Sequence, residues 1–73
     1  MPNPLHRETY RYVIKQLRKA RLEADLTQVE VAEKLKKPQS FISKIESGER
    51  RLDITEIAQI AKIYKKKLEY FLP

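Results

Sequence analysis

Leu26-Thr27-Gln28-Val29-Glu30-Val31-Ala32-Glu33-Lys34-Leu35, followed after Lys36-Lys37 by Pro38-Gln39-Ser40-Phe41-Ile42-Ser43-Lys44-Ile45-Glu46-Ser47-Gly48, is the stretch whose reading decides the fold. Thr27 stands where a helix N-cap belongs, and Glu30 three residues on completes a capping box, in which two side chains satisfy backbone N–H groups that the helix leaves unpaired. Val31, Ala32 and Leu35 give that helix its buried side. Lys36, Lys37 and Pro38 interrupt it, since the residue before a proline is pushed out of the helical region. A second short helix is predicted over 39–47, closed by Gly48, the one glycine of the chain, as a left-handed stop. Its two faces differ. At helical spacing Phe41, Ile42 and Ile45 fill one arc, while Gln39, Ser40, Ser43, Lys44 and Ser47 fill the opposite one.

Outward from this pair the chain stays helical. Asn3 followed by Pro4 reads as an N-cap with proline at the first helical position, opening a helix from about residue 5 to Ala24. Tyr10, Val13, Ile14, Leu17, Ala20 and Ala24 fall within one third of its circumference, opposite Arg11, Lys15, Arg18 and Lys19. Arg21 breaks that order by projecting into the apolar arc. Beyond Glu49-Arg50-Arg51, a helix beginning near Asp53 runs to Tyr64 with Ile57, Ile60, Ala61 and Tyr64 inward. A last short helix near residues 67–72 offers Leu68, Phe71 and Leu72 to the core, whereas Tyr12 and Ile63 fall on otherwise polar sides. The expected fold class is all-α, five helices in one domain spanning residues 1–73, with a helix-turn-helix core at about 28–47.

Composition narrows the function. Seventy-three residues bury only about 60% of the surface an unfolded chain exposes, which leaves room for one core. Without cysteine, and with His6 as the single histidine, the sequence supplies no disulfide frame and no metal-ligand cluster, so neither a metal nor another cofactor is expected. It has no glycine-rich phosphate loop and no convergent carboxylate cluster evident from spacing, and Glu30, Glu33 and Glu49 read as surface charges; an enzyme is not expected. No apolar run approaches the roughly 20 residues of a membrane span, and Met1-Pro2-Asn3-Pro4 lacks the order of a signal peptide, which places the expected site of action in the cytoplasm. Sixteen Lys and Arg against ten Asp and Glu leave a net charge of +6, favouring a polyanionic partner.

Two short helices joined by a tight turn, the second with an amide- and hydroxyl-rich face, are the arrangement in which the second helix enters the major groove of DNA. The quoted stretch resembles the lambda-repressor-like family, also called the Xre family, and the resemblance covers residues 14–72. The family pattern has a small residue where Ala32 stands and branched apolar residues where Ile42 and Ile45 stand. The resemblance implies base-edge contacts from Gln39, Ser40 and Lys44, phosphate contacts from Thr27 and Gln28 at the start of the first helix of the motif, and backbone contacts from Ser43 and Ser47. It also implies a structural ion pair between Arg21 and Glu46. Two positions depart from the pattern. Lys36 and Lys65 stand where glycine usually makes the turn, and because left-handed lysine costs on the order of 1 kcal/mol, these turns are expected to take another shape.

Arg50 and Arg51, just after the polar-faced helix, are expected at phosphates, whereas Lys65-Lys66-Lys67 reads as solvated surface. The expected function is that of a sequence-specific transcriptional regulator, a repressor acting as a homodimer on double-stranded DNA. An antitoxin with a protein partner, or an adaptor that uses the fold but not its DNA face, is the alternative.

Overall fold

The structure, a computed structural model, describes residues 4–73, with side chains from residue 7 onward. The expected Asn3 cap and the His6 side chain lie outside the described residues. Helices α1 (Pro4–Glu23), α2 (Gln28–Leu35), α3 (Gln39–Glu46) and α4 (Ile54–Ile63) are followed by a 3-10 turn, Leu68–Phe71, which takes the place of the expected fifth helix. The described residues contain no strand.

Local chemistry explains where the helices start. Thr27 Oγ1 accepts from the Glu30 N–H at 3.1 Å while Glu30 Oε1 accepts from the Thr27 N–H at 2.9 Å, closing the box read from the sequence. Asp53 and Glu56 build the same box at α4, at 2.8 and 3.0 Å, from an Asp-x-x-Glu spacing that the sequence carries at 53–56. Only Pro38, with no side-chain cap, precedes α3.

The helix ends share one solution. Asp25, Lys36, Gly48 and Lys65 all have positive φ, between 57° and 85°. The next N–H in each case reaches back five residues: Leu26 to Arg21, Lys37 to Ala32, Glu49 to Lys44 and Lys66 to Ala61, at 2.9–3.1 Å. These are left-handed C-terminal closures that satisfy otherwise orphaned carbonyls. The expectation for Lys36 and Lys65 is therefore corrected, because the turns keep their left-handed shape and two lysines carry the strain. Lys36→Gly and Lys65→Gly should each raise stability, by about 0.5–1 kcal/mol after the greater freedom of glycine in the unfolded chain is subtracted. Urea denaturation measures this, and an unchanged or lower midpoint would contradict it. At Gly48 a Cβ would meet Ile14 Cδ1 at an ordinary 3.5 Å, so its φ of +85° and not lack of space favours glycine there.

The core takes Val13, Leu17 and Ala20 from α1, Val31 and Ala32 from α2, Phe41, Ile42 and Ile45 from α3, Ile60 and Ala61 from α4, and Tyr64 and Phe71 beyond. Full burial of each large apolar side chain contributes about 1.5–3 kcal/mol, which is what holds helices as short as α2 and α3 in place. Five apolar positions differ from expectation, and two of them, Ile14 and Leu68, are only half-buried and outside the core. Leu72 leaves the 3-10 turn with an extended backbone and is 46% exposed. Ile63 is half-buried against the core, beside Leu35 and Ala24. Tyr10 is half-buried rather than internal, its hydroxyl donating to the Arg50 carbonyl at 2.7 Å.

Candidate nucleic-acid interface

Burial of Phe41, Ile42 and Ile45 fixes the rotation of α3, and with it which residues face outward. Gln39, Ser40, Lys44 and Ser47 are exposed and Ser43 half-exposed. Among the described residues the side chains of Gln39, Ser40 and Lys44 form no hydrogen bond or ion pair within the chain, so their donors and acceptors are available to a partner. The Ser43 and Ser47 hydroxyls donate to carbonyls one turn back, Ser40 at 3.3 Å and Lys44 at 3.1 Å. A phosphate oxygen could take either proton by a rotation about one bond.

Beside this face lies a buried charge network. Arg21 Nε donates to Glu46 Oε2 at 2.7 Å and Nη2 to Oε1 at 3.0 Å, while Nη1 donates to the Leu26 carbonyl at 2.9 Å. The pair joins α1 to α3, with side chains only 10% and 8% exposed. The Glu46 hydrogen bond raises the pKa of Arg21 further against the opposing effect of burial, so the guanidinium stays charged. Gln28 Nε2 donates to Glu46 Oε1 at 3.1 Å, which ties the first residue of α2 to the same carboxylate. One amide hydrogen is thereby occupied and the other remains, at a helix N-terminus that attracts phosphate. Thr27 is exposed, and as an N-cap its hydroxyl oxygen accepts while its proton stays free to donate. Sequence spacing contains no signal for the Gln28–Glu46 contact, because 18 residues separate its ends.

Arg50 and Arg51 are placed differently from one another. The Arg50 guanidinium is held by Glu56, with Nη1 to Oε1 at 3.2 Å and Nη2 to Oε2 at 3.1 Å, and lies 4.5 Å from the centre of the Phe41 ring. It also donates to the Arg51 carbonyl at 2.9 Å, so it works first as the fastener of the α3–α4 loop. Its hydrogen bonds hold the Glu56 carboxyl below the usual carboxylate range, so this support is present at neutral pH and fades as the pH falls through that lowered value. Arg51 is exposed, stacked 5.0 Å from the Tyr10 ring centre, with no ion pair among the described residues. Lys37, 5.4 Å from the Phe41 ring centre, flanks the other end of the motif. Within Lys65-Lys66-Lys67 the middle residue is engaged, pairing with Glu23 at 3.2 Å and lying 4.6 Å from the Tyr70 ring centre.

Among the described residues no group of three or more His, Cys, Asp or Glu is placed to hold a metal ion. Nor is any described helix long and apolar enough to cross a membrane. No curated protein matches the chain. A helix-turn-helix family model matches residues 17–71, well over half of the sequence and all of α2, α3 and α4. An all-helical fold, an outward polar face on the second helix of the motif and this match agree: the chain belongs to the lambda-repressor-like helix-turn-helix family and is a DNA-binding regulator.

Proposed function

We propose that this protein is a sequence-specific repressor that acts in the cytoplasm as a homodimer on a two-fold-related operator. The observation that carries the reading is the outward face of α3, where Gln39, Ser40 and Lys44 stand exposed and, among the described residues, without partners, opposite three buried apolar side chains. Glutamine can pair with an adenine edge and lysine with a guanine edge in the major groove, and serine can serve either. Phosphate contacts from Thr27, Gln28, Ser43, Ser47 and Arg51 would set the register of the helix, with Arg50 joining them if one N–H turns from Glu56. A helix of eight residues reads too few bases to specify a genomic site alone, which is the argument for a dimer with half-sites roughly 34 Å apart. Occupancy of such an operator would block polymerase.

Selection of binding sites from a random pool, followed by titration and sedimentation of the complex, tests this. A two-fold-related site holding two protomers is expected. If each protomer neutralises about four phosphates, log K should fall with log salt at a slope near −3.6 per protomer. One protomer per specific site would overturn the dimer, and a flat salt dependence would overturn the phosphate contacts. Absence of DNA binding even at low salt would leave the adaptor reading in its place.

A further inference from the structure

One side of α1 is used neither by the core nor by the motif. Arg11, Ile14, Lys15, Arg18 and Leu22 recur at helical spacing and, with Glu46 of α3, line an open groove of about 640 Å³. Two fixed contacts give its position. On the angular order of α1, Arg18, Arg11, Leu22 and Lys15 follow after Ile14 and Arg21, of which Ile14 lies against Gly48, just beyond α3, and Arg21 pairs with Glu46, the last residue of α3. The stripe therefore borders the C-terminal half of α3 on its Glu46 side. Leu22 also lines a second groove, with Arg21, Asp25, Gln28 and Gln39, so the basic stripe on α1 adjoins, through Leu22, the surface that carries Gln28 and Gln39.

The charge of this groove is uncompensated. Arg11, Lys15 and Arg18 are exposed and in no ion pair among the described residues. The two carboxylates that line it are already engaged, Glu46 by Arg21 and Glu23 by Lys66. When α3 lies in a major groove about 12 Å wide, a surface alongside it meets the sugar-phosphate strand at the groove wall. From Arg11 to Arg18 the helix rises about 10 Å, enough to follow several phosphates of one strand.

We infer that Arg11, Lys15 and Arg18 form a phosphate track along α1, which holds one strand of the same duplex that α3 reads. The inference rests on the DNA reading of α3. It assigns to α1 a share of affinity with no share of sequence preference.

The test is the triple variant Arg11→Gln, Lys15→Gln, Arg18→Gln against a control, Lys62→Gln, Lys65→Gln, Lys67→Gln. The control removes the same charge from exposed positions around the C-terminal end of α4, none of which lines the groove of Gln28 and Gln39. Titrations use the duplex selected by the wild-type protein and a scrambled one, across a salt series. For the α1 variant the salt slope should fall by about 2–3 units per protomer, and binding to both duplexes should weaken by the same factor, at least about tenfold. The control should move the slope by less than one unit. An unchanged slope in the α1 variant, or an equal change in the control, overturns the track while leaving α3 as the reader. Failure of the wild-type protein to prefer any duplex overturns the underlying reading instead. Thermal melting of each variant shows that the fold persists, as expected where every substituted side chain is exposed.

Discussion

Replacing Glu46 by alanine is expected to destabilise the protein by about 3–5 kcal/mol, the usual result of stranding one partner of a buried ion pair. Arg21 would keep only the Leu26 carbonyl while its side chain, 10% exposed, remains out of reach of bulk water. Gln28 would lose its acceptor as well. A chain of 73 residues has about 4–11 kcal/mol of stability in all, so the variant should lose a quarter or more of it. At about 4–8 °C per kcal/mol, a drop of more than about 12 °C in melting temperature is expected. Glu49→Ala, at an exposed position outside every ion pair of the described residues, should cost less than about 0.5 kcal/mol. Equal melting temperatures for the two variants would show that the Arg21–Glu46 pair does not hold α1 to α3. The pair's value lies in where it places α3 as much as in stability, since a buried pair seldom outperforms well-packed apolar side chains.

A comparable loss, about 3–5 kcal/mol, is expected for Phe71→Ala. Phe71 is fully buried within a 3-10 turn that packs on α1 and α4, and that turn is further tied to α1 by Gln16 Nε2 donating to the Tyr70 carbonyl at 3.1 Å. Removing the ring empties the volume under that contact, and backbone hydrogen-bonded in this way collapses only partly into the space. Leu72→Ala is the control, because a side chain 46% exposed has little transfer energy to lose and should cost under about 1 kcal/mol. Denaturant unfolding of both variants decides the matter. Similar midpoints would mean that the last turn is not part of the cooperative core.

The parts of the fold legible in the sequence are those that local chemistry specifies. Thr27 with Glu30, Pro38 and Gly48 bracket α2 and α3 because caps, proline and positive φ act over a few residues. Rotation of α3 was equally legible, since three branched or aromatic side chains on one arc leave no other face to bury. What was not legible depends on partners distant in sequence. Arg50 reads as a phosphate ligand from its charge and position, yet Phe41 and Glu56 hold its guanidinium, a contact that exists only once the α3–α4 loop has folded back. Lys36 and Lys65 read as departures from a glycine pattern, yet backbone hydrogen bonds from Lys37 and Lys66 impose the left-handed turn whatever the side chain. The pairing of Arg21 with Glu46 came from family resemblance, as 25 residues separate the two.

Residues that touch bases and residues that touch phosphates must fail differently when removed, and that difference tests the central claim, that α3 reads the DNA. The measurement is the ratio of affinities for the selected and the scrambled duplex, taken for Gln39→Ala, Lys44→Ala and Gln28→Ala beside the wild-type protein. Loss of Gln39 or Lys44 should weaken binding to the selected duplex by about 1–3 kcal/mol and to the scrambled one much less, so the ratio falls. Loss of Gln28 should weaken both alike and leave the ratio near the wild-type value. An undiminished ratio for both α3 variants would contradict the account, because the outward face of α3 would then not be the surface that recognises sequence.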